Sequence, residues 1–406
     1  MYLEYFDKFL NMSPYLNINE DEWAYIKETF DKDDVKESLA KIAMTYPIPY
    51  MDISLQDALR DFAKLKGVWW NDLLVQDKWY ARTESDFKYS LEYLGEPIYF
   101  RRLNRGNDSS NYFQQKNRWA VDGSISPGPT RTWKTEKFMT TLMGAAYTLK
   151  VEKINKSVLR TMLGLRKYIC SQFKPNVAKC VYDYFESKTI LDFSAGWGDR
   201  LAGFYASNHG EHYVGIDPRK ENHSIYNEQV EFYENNIGWF EASKMSEFIC
   251  SPAEDIDYTK WANYFDLVFT SPPYFNVERY SYDDTQSWVR YKNVEGWNKY
   301  FLHRTLKKIW DSIKPGGYLL VNISDVNASS GSKKKGWLKI CDPMNDFLSE
   351  LDNSEYQGCI GMEMAKRPNS IGAGTGVVTE EPNRTPEMIK EFDGIFCEPI
   401  WVWKKN

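Results

Sequence analysis

Apolar and polar residues recur with different periods in the two parts of this 406-residue chain. Over residues 1–156, acidic and aromatic-rich stretches such as 20–30 and 57–74 place apolar side chains at the spacing of amphipathic helices. A polar segment, 106–129, combines Asn, Ser, Gly and Pro and predicts a loop. We therefore expect a mainly helical N-terminal domain over residues 1–156.

From residue 157 onward, short apolar runs alternate with helix-like segments, which is typical of a parallel α/β sheet. We expect a Rossmann-like sheet with helices on both faces over residues 157–406. The spacing leaves room for crossover helices, among them 177–185 and 297–313. The predicted strands are 189–193, 213–217, 248–251, 265–270, 317–323, 358–364 and 396–403.

Composition and charge narrow the functional classes. Hydrophobic residues make up 42% of the chain and aromatic residues 16%, which argues against a disordered protein. The formal net charge of −6 excludes a surface coated with positive charge, so any nucleic-acid contact has to be local. Candidates for such contacts, each also typical of a solvated surface, are Arg101 and Arg102, Arg279 and Arg290, and the lysine run 333–335.

The six cysteines form no C-x-x-C pair and have no zinc-site spacing with the four histidines. This pattern predicts neither a disulfide framework nor a metal site, and it suits a reducing compartment. The N-terminus lacks the basic and apolar regions of a signal peptide, and no stretch has the apolar length of a membrane span. We expect an intracellular, cytoplasmic protein.

The first motif with chemical content is Asp192-Phe193-Ser194-Ala195-Gly196-Trp197-Gly198, where a predicted strand ends in an acid and turns through two glycines into a helix. Glycines at the carboxyl edge of such a sheet let ligand atoms approach the backbone. Asp217 ends the next predicted strand, where an acid can bind ribose hydroxyls. A dinucleotide site is disfavoured because Leu201 replaces the third glycine, and a tight turn without a ligand stays an alternative.

The second motif is Thr270-Ser271-Pro272-Pro273-Tyr274, directly after a predicted strand. Two prolines fix φ and remove two amide donors, so carbonyl groups are left to face a cleft. An exocyclic amine on a base is a weak nucleophile, and acceptors for its hydrogens would draw the nitrogen toward tetrahedral geometry. Ser271 Oγ and the Pro272 carbonyl suit that role, while Tyr274 can stack on an extruded base. Alone, such a run is more often an ordinary proline turn with a packed tyrosine.

Together these motifs resemble those of the S-adenosylmethionine-dependent amino-methyltransferases of DNA, the cytosine-N4 and adenine-N6 type. The resemblance covers about residues 165–403, and Ser271-Pro272-Pro273-Tyr274 matches the catalytic motif fully. The glycine motif departs from the pattern, since Phe193-Ser194 replaces Pro-Phe and Asp199 stands where Thr or Ser is frequent.

The resemblance implies roles for individual residues. It implies a methyltransferase domain over 157–406 that uses S-adenosylmethionine, with Ser271, Pro272, Pro273 and Tyr274 at the reacting nitrogen. Asp217 would bind the ribose, and Ala253 and Glu254 would edge the adenine. Lys174 and Asn176, before a helix, resemble an upstream motif that completes the pocket. The methionine portion would be lined by Asp192, Ser194, Ala195, Gly196 and Gly198.

The implied substrate is DNA, with the target base flipped and cytosine N4 favoured over adenine N6, because the Ser form of the motif is commoner among cytosine enzymes. Methylation at ring carbon five needs a cysteine nucleophile, and no Pro-Cys motif follows a predicted strand. Base recognition would fall to residues 1–150, the segment after Tyr274 with Arg279 and Arg290, or the loop 366–390. The enzyme could be solitary or the partner of a restriction system.

Two alternatives stay open. The first is a methyltransferase that acts on RNA, a free nucleotide or a protein amide, which the acidic net charge favours modestly. The second is a noncatalytic nucleic-acid-binding module that retains the fold.

Overall fold

The computed structural model describes residues 2–81, 87–238, 243–327, 337–364 and 395–406, so the candidate segments 333–335 and 366–390 lie outside the described residues. The chain divides into two compact units. The smaller unit comprises the chain up to Ile53, Gln114–Ser171 and Glu278–Ser281, and the larger comprises Ser54–Phe113, Gln172–Val277 and Tyr282–Asn406. This division differs from the expected split at residue 156, because residues 54–113 belong to the unit that holds the sheet.

The smaller unit is built from helices around an apolar core that includes Trp23, Leu39 and Met162. Asn19 caps its first helix by accepting a hydrogen bond of 2.9 Å from the Glu22 amide. Two short antiparallel pairs join distant segments, β1 (Asn17–Ile18) with β6 (Ile154–Asn155) and β5 (Asp122–Gly123) with β11 (Glu278–Arg279). The helices are α1 (Glu20–Thr29), α2 (Lys32–Met44), α6 (Pro129–Trp133), α7 (Glu136–Thr148) and α8 (Lys156–Arg166), while α5 (Asn107–Trp119) has residues in both units.

The larger unit contains a mixed sheet in the order β2-β4-β15-β16-β12-β10-β7-β8-β9, with β3 paired to β16. Its strands are β2 (Leu74–Gln76), β3 (Trp79–Ala81), β4 (Ile98–Phe100), β7 (Thr189–Asp192), β8 (His212–Ile216), β9 (Met245–Ile249), β10 (Phe265–Thr270), β12 (Ile313–Asn322), β15 (Ser354–Glu363) and β16 (Ile395–Lys405); a separate pair is β13 (Val326–Asn327) with β14 (Trp337–Leu338).

Helices cover both faces of this sheet. Alternate strand residues point to opposite faces, and Ile190 and Leu191 accordingly pack into two different apolar clusters. The predicted α/β Rossmann-like fold with helices on both faces is confirmed. The helices of the unit are α3 (Leu55–Lys66), α4 (Trp70–Leu73), α9 (Pro175–Tyr184), α10 (Asp199–Ala206), α11 (Lys220–Glu234), α12 (Ser287–Arg290), α13 (Val294–Trp297), α14 (Arg304–Trp310) and α15 (Cys341–Ser349), with a π-helical turn at Asn298–His303 and 3-10 turns at Ala253–Asp255 and Thr259–Trp261.

The order of strands creates a crevice at one edge. β7 pairs in parallel with β8 on one side and with β10 on the other, so the chain reverses its direction of winding at β7. Ligands of open α/β sheets bind at such a switch point, beyond the carboxyl ends of the strands.

The loop predicted over 106–129 is wrong for its first half, because α5 occupies Asn107–Trp119. Its polar residues are used for buried hydrogen bonds that composition does not reveal. Gln115 accepts from the Met51 amide at 2.7 Å and donates to the Met51 carbonyl, and Arg118 donates to the Cys170 carbonyl at 2.8 Å. Tertiary contacts therefore override a loop-like composition here.

The sheet also receives β2, β3 and β4 from the part of the chain expected to be mainly helical. Each of these strands has three residues, which is too short to show a period of two in the sequence. Among the described residues, no helix is long and apolar enough to cross a membrane, and no group of three metal-ligating side chains occurs.

Candidate functional site

Four polar residues stand at neighbouring strand ends on one edge of the sheet. Asp192 ends β7, Asp217 follows β8, Thr270 ends β10 and Asn322 ends β12. The parallel register of Thr270 with Val321 brings Ser271 beside Asn322. The two predicted motifs thus share the edge at which the sheet reverses.

Asp192 is fully buried and its carboxylate is saturated with donors. Arg200 donates from Nε at 2.7 Å and from Nη2 at 3.2 Å, and Tyr213 donates its hydroxyl at 2.7 Å. The Ser194 amide donates at 3.2 Å, and Thr270 Oγ1 donates at 3.0 Å. Asp192 therefore holds the glycine motif and the Pro-Pro motif together, and its expected contact with a cofactor stays a prediction.

The glycine turn needs its glycines for two physical reasons. Gly196 and Gly198 have φ of +58° and +72°, in the left-handed region that residues with a Cβ rarely adopt. A Cβ on Gly198 would also lie 2.5 Å from Gln229 Oε1. The turn is fixed by its neighbours, since Asn222 Nδ2 and the Tyr226 hydroxyl both donate to the Gly196 carbonyl, at 2.9 and 2.6 Å.

Asp217 differs from Asp192 in what surrounds its carboxylate. It is 8% exposed, and among the described residues it accepts two hydrogen bonds, from the amides of Gly196 at 2.9 Å and Arg219 at 2.8 Å. Burial raises its pKa to about 6, against the opposing effect of those two amides. Each oxygen has a lone pair to spare, so the carboxylate can accept two hydroxyl protons from a ribose diol.

Ser271 is partly buried, and Oγ donates its proton to Asn322 Oδ1 at 3.2 Å. Pro272 is buried and Pro273 is partly buried, and neither carries an amide donor. The Ser271 hydroxyl can therefore accept a hydrogen bond. Neither proline has an N–H that could occupy the carbonyl groups beside it.

Tyr274 is partly buried, and its hydroxyl faces the Asn322 carbonyl oxygen at 3.4 Å. Burial, followed by the negative charge of Glu398, raises the pKa of Tyr274 well above its ordinary value. The phenol thus stays protonated at neutral pH and cannot act as a base. Phe275 has a φ of +51°, which is uncommon for an aromatic residue, and its buried ring packs edge-on against Trp297 at 6.3 Å.

The predicted adenine edge is a 3-10 turn in which Ala253 and Glu254 are buried. Glu254 Oε1 accepts from Arg290 Nη1 and from the Tyr291 hydroxyl, both at 3.2 Å, whereas Oε2 has no hydrogen-bond partner in the described part of the chain. Burial raises the pKa of Glu254. Arg290 also donates to Asp255 at 2.6 Å, so its guanidinium is already paired, and its expected phosphate contact stays a prediction.

Lys174 and Asn176 begin α9 on the same unit. Lys174 Nζ donates to Asn104 Oδ1 at 3.2 Å. The Asn176 carboxamide is fully buried, and neither its nitrogen nor its oxygen has a hydrogen-bond partner among the described residues. A buried amide without partners costs free energy, and a polar ligand would satisfy it.

The four candidate arginines fall into three environments. Arg101 and Arg102 are exposed and follow β4, which runs parallel to β10, so they lie at the same carboxyl edge of the sheet. β4 is four strands from β10, which is about 19 Å at the usual spacing between strands. Arg290 lies at Glu254. Arg279 belongs to the smaller unit, where it lies opposite Asp122 in the register of β11 with β5.

Two contributors to the site were missed in the sequence. Arg200, the counter-charge of Asp192, lies near the start of helix α10 and is followed by apolar residues. A charged residue that leads directly into an apolar helical run could have indicated a buried ion pair. Asn322 is a polar residue at the end of the apolar run Tyr318–Val321, the same pattern that singled out Asp192 and Asp217. Its contact with Ser271 depends on the pairing of β10 with β12, which the sequence does not specify.

The acceptors at this edge suit the diol of an adenosyl ligand. Asp217 offers acceptors for a diol, and Gly196 is partly exposed with room where a Cβ would stand, whereas Gly198 is buried against Gln229. Asn176 has two amide atoms without a hydrogen-bond partner among the described residues. No protein-family model matches this chain, and no curated protein matches it either.

Solved structures do resemble parts of it. An rRNA methylase from Streptococcus thermophilus is 12% identical, with a TM-score of 0.30, and the match covers 57% of this chain and 96% of that one. TrmN from Thermus thermophilus is 10% identical at a TM-score of 0.32, covering 57% and 49%. The [4+2]-cyclase SpnF is 16% identical at a TM-score of 0.31, covering 46% and 58%. At such low values the function has to be inferred from the residues of the site.

Proposed function

We propose that this chain is an S-adenosylmethionine-dependent methyltransferase that modifies the exocyclic amino group of a base in DNA, with cytosine N4 favoured over adenine N6. The observation that carries this proposal is the buried hydrogen bond of 3.0 Å from Thr270 Oγ1 to Asp192 Oδ1. It joins the residue before Ser271 to the residue that opens the glycine turn. A cofactor on that turn would therefore lie next to the amine acceptors of Ser-Pro-Pro-Tyr.

The residues have separate tasks in this proposal. Asp217 binds the ribose, Gly196 admits the ligand to the backbone while Gly198 shapes the turn, and Asn176 and Glu254 bind at its two ends. When bound, S-adenosylmethionine would supply a methyl group on a sulfonium. A C–N bond to the amine would form as the C–S bond breaks with its electron pair staying on sulfur, and the proton that the amine loses would pass to solvent. Ser271 Oγ and the Pro272 carbonyl oxygen accept hydrogen bonds from the amine N–H groups as the nitrogen becomes tetrahedral.

Tyr274 provides a face for the base. Stacking on an aromatic ring is worth about 1 to 3 kcal/mol per base, and a base in duplex DNA has to be flipped out before its amino group can be reached. The phenol is uncharged and its hydroxyl end is held by the protein, which suits stacking better than proton transfer. Such an enzyme would act inside a cell, alone or as the modification partner of a restriction system.

The test is transfer of a tritiated methyl group from S-adenosylmethionine to duplex DNA, single-stranded DNA, RNA and a glutamine-containing peptide in parallel. Ser271→Ala removes an acceptor that strengthens in the transition state, so kcat should fall about 30-fold, equivalent to about 2 kcal/mol, with cofactor affinity unchanged. Ser207→Ala, a buried serine that donates to Phe204, is the matched control. Methyl transfer to RNA or to the peptide alone would show that DNA is not the substrate. A wild-type kcat in Ser271→Ala would show that Ser271 is not part of the catalytic site.

A further inference from the structure

Asn322 is almost completely buried, with 1% of its surface exposed, and its carboxamide has a defined orientation. Nδ2 donates to the Pro399 carbonyl oxygen at 3.1 Å. Because a carbonyl oxygen can only accept, the amide nitrogen has to face Pro399, and Oδ1 is turned toward Ser271. The opposite amide assignment would place two oxygens against each other.

This orientation determines what the Ser271 hydroxyl can do. Oδ1 of Asn322 accepts from Ser271 Oγ at 3.2 Å, and a hydroxyl has only one proton to donate. While that proton lies on Asn322, the remaining lone pairs of Oγ can only accept, and the neighbouring Tyr274 hydroxyl is a second partner of Ser271 within the protein. A substrate that presents an N–H is then favoured, whereas a carbonyl or an unprotonated ring nitrogen at the same place would meet a second acceptor.

Asn322 also contacts the other polar side chain of the motif. The Tyr274 hydroxyl faces the Asn322 carbonyl oxygen at 3.4 Å, so one residue contacts both Ser271 and Tyr274. β12 and β16 are paired at Asn322 and Ile400, which fixes the Asn322 backbone to the sheet independently of its side chain.

We propose that Asn322 is a positioning residue that holds Ser271 as a hydrogen-bond acceptor and thereby selects an amine as the methyl-accepting group. This inference rests on the proposed function and deepens it, since it assigns the preference for N–H to a residue outside the Ser-Pro-Pro-Tyr motif.

A double-mutant cycle on kcat separates positioning from support of the fold. Asn322→Ala should lower kcat about tenfold with cofactor affinity within twofold of wild type, and it should have no further effect in the Ser271→Ala background. Asn322→Asp retains an acceptor for the Ser271 proton but places its second oxygen against the Pro399 carbonyl oxygen, so it should recover only part of the activity. Asn345→Ala is the control. Asn345, on α15, is also buried, and its Oδ1 accepts a hydrogen bond of 3.0 Å from Trp403 Nε1. Additive losses in the double mutant would overturn the proposal.

A second measurement does not depend on turnover. In Ser271→Cys, the thiol should donate to Asn322 Oδ1, which favours the protonated form and slows alkylation. Adding Asn322→Ala should speed iodoacetamide modification of position 271 severalfold at pH 8, read on the individual peptide by mass spectrometry. Equal alkylation rates in the two variants would show that Asn322 does not hold the proton of residue 271, whatever the substrate is. A faster rate with no methyl transfer to any amine would instead refute the proposed function.

Discussion

The ends of β7 and β8 are adjacent, and each carries a buried aspartate, yet the two carboxylates have opposite surroundings. Asp192 accepts five hydrogen bonds, two of them from the guanidinium of Arg200. Asp217 accepts two, both from backbone amides, and its pKa is raised to about 6 by burial. The same residue type at two neighbouring strand ends is thus saturated in one case and under-satisfied in the other.

This difference distinguishes an aspartate that stabilises the fold from one that can bind a ligand. A carboxylate whose lone pairs are all used stabilises the fold and has little left for a ligand. A buried carboxylate that lacks partners is held at a cost in stability, which is common where a ligand will bind. The sequence alone placed both aspartates in the cofactor pocket, and only the side-chain contacts distinguish them.

The largest expected effect is loss of stability at Asp192. Asp192→Asn leaves the buried Arg200 without its counter-charge, and breaking one partner of such a pair costs about 3–5 kcal/mol. Urea unfolding followed by circular dichroism should show this loss. Asp217→Asn at the neighbouring strand end is the matched control and should show none. An unchanged urea midpoint in Asp192→Asn, with weaker cofactor binding, would reverse the two roles.

The next effect is on cofactor affinity at Asp217. Asp217→Ala removes both acceptors for the ribose hydroxyls and should weaken S-adenosylmethionine binding by about 2 kcal/mol, or about 30-fold, in isothermal titration. Its urea midpoint should not fall. Unchanged affinity would show that the ribose lies elsewhere, and the comparison of the two aspartates would then lose its meaning.

The pKa of Asp217 predicts a pH dependence of both binding and stability. Ribose hydroxyls donate to the ionised carboxylate, so affinity should fall about fivefold from pH 6 to pH 5 as the group is protonated. Stability without ligand should run the other way. The folded-state pKa of about 6 exceeds the ordinary value of 3.8, so the folded protein binds the proton more tightly and becomes less stable as pH rises between these values.

Asp217→Asn is the control for this linkage, since it should flatten both pH profiles between pH 4 and pH 6 relative to wild type. A variant that kept the full pH dependence of affinity would assign the titration to another group, with Glu254 the next candidate because burial also raises its pKa.

The smallest expected effect concerns Arg101 and Arg102. Neither guanidinium has an ion-pair partner in the described part of the chain, in contrast to Arg290, which is paired with Glu254 and Asp255. If both contact phosphates, replacing them with Gln should reduce the slope of log affinity for DNA against log salt by about 2. Arg290→Gln should reduce the slope by less than 1, because its guanidinium is already paired with two carboxylates. Equal slopes in all three proteins would remove Arg101 and Arg102 from the DNA surface.

The sequence was sufficient for the long elements of the sheet and for the two motifs at its edge. Apolar runs of four to six residues ending in Asp192 and Thr270 are strong signals, and both are strands in the structure. The three-residue strands β2, β3 and β4 and the polar helix α5 gave no such signal, because distant contacts determine them. Arg200 and Asn322 left a signal in the sequence, but their contacts with Asp192 and Ser271 depend on helix packing and strand register, which the sequence does not specify.

The central claim is that Ser271 and its neighbours methylate an amino group, and the chemical position of the methyl tests it most directly. Duplex DNA incubated with the wild-type protein and S-adenosylmethionine bearing a deuterated methyl would be digested to nucleosides and measured by mass spectrometry. We predict labelled N4-methylcytosine or, failing that, N6-methyladenine, and neither product with the Ser271→Ala, Tyr274→Ala double variant. Labelled 5-methylcytosine, or the same product from the double variant, would contradict the claim.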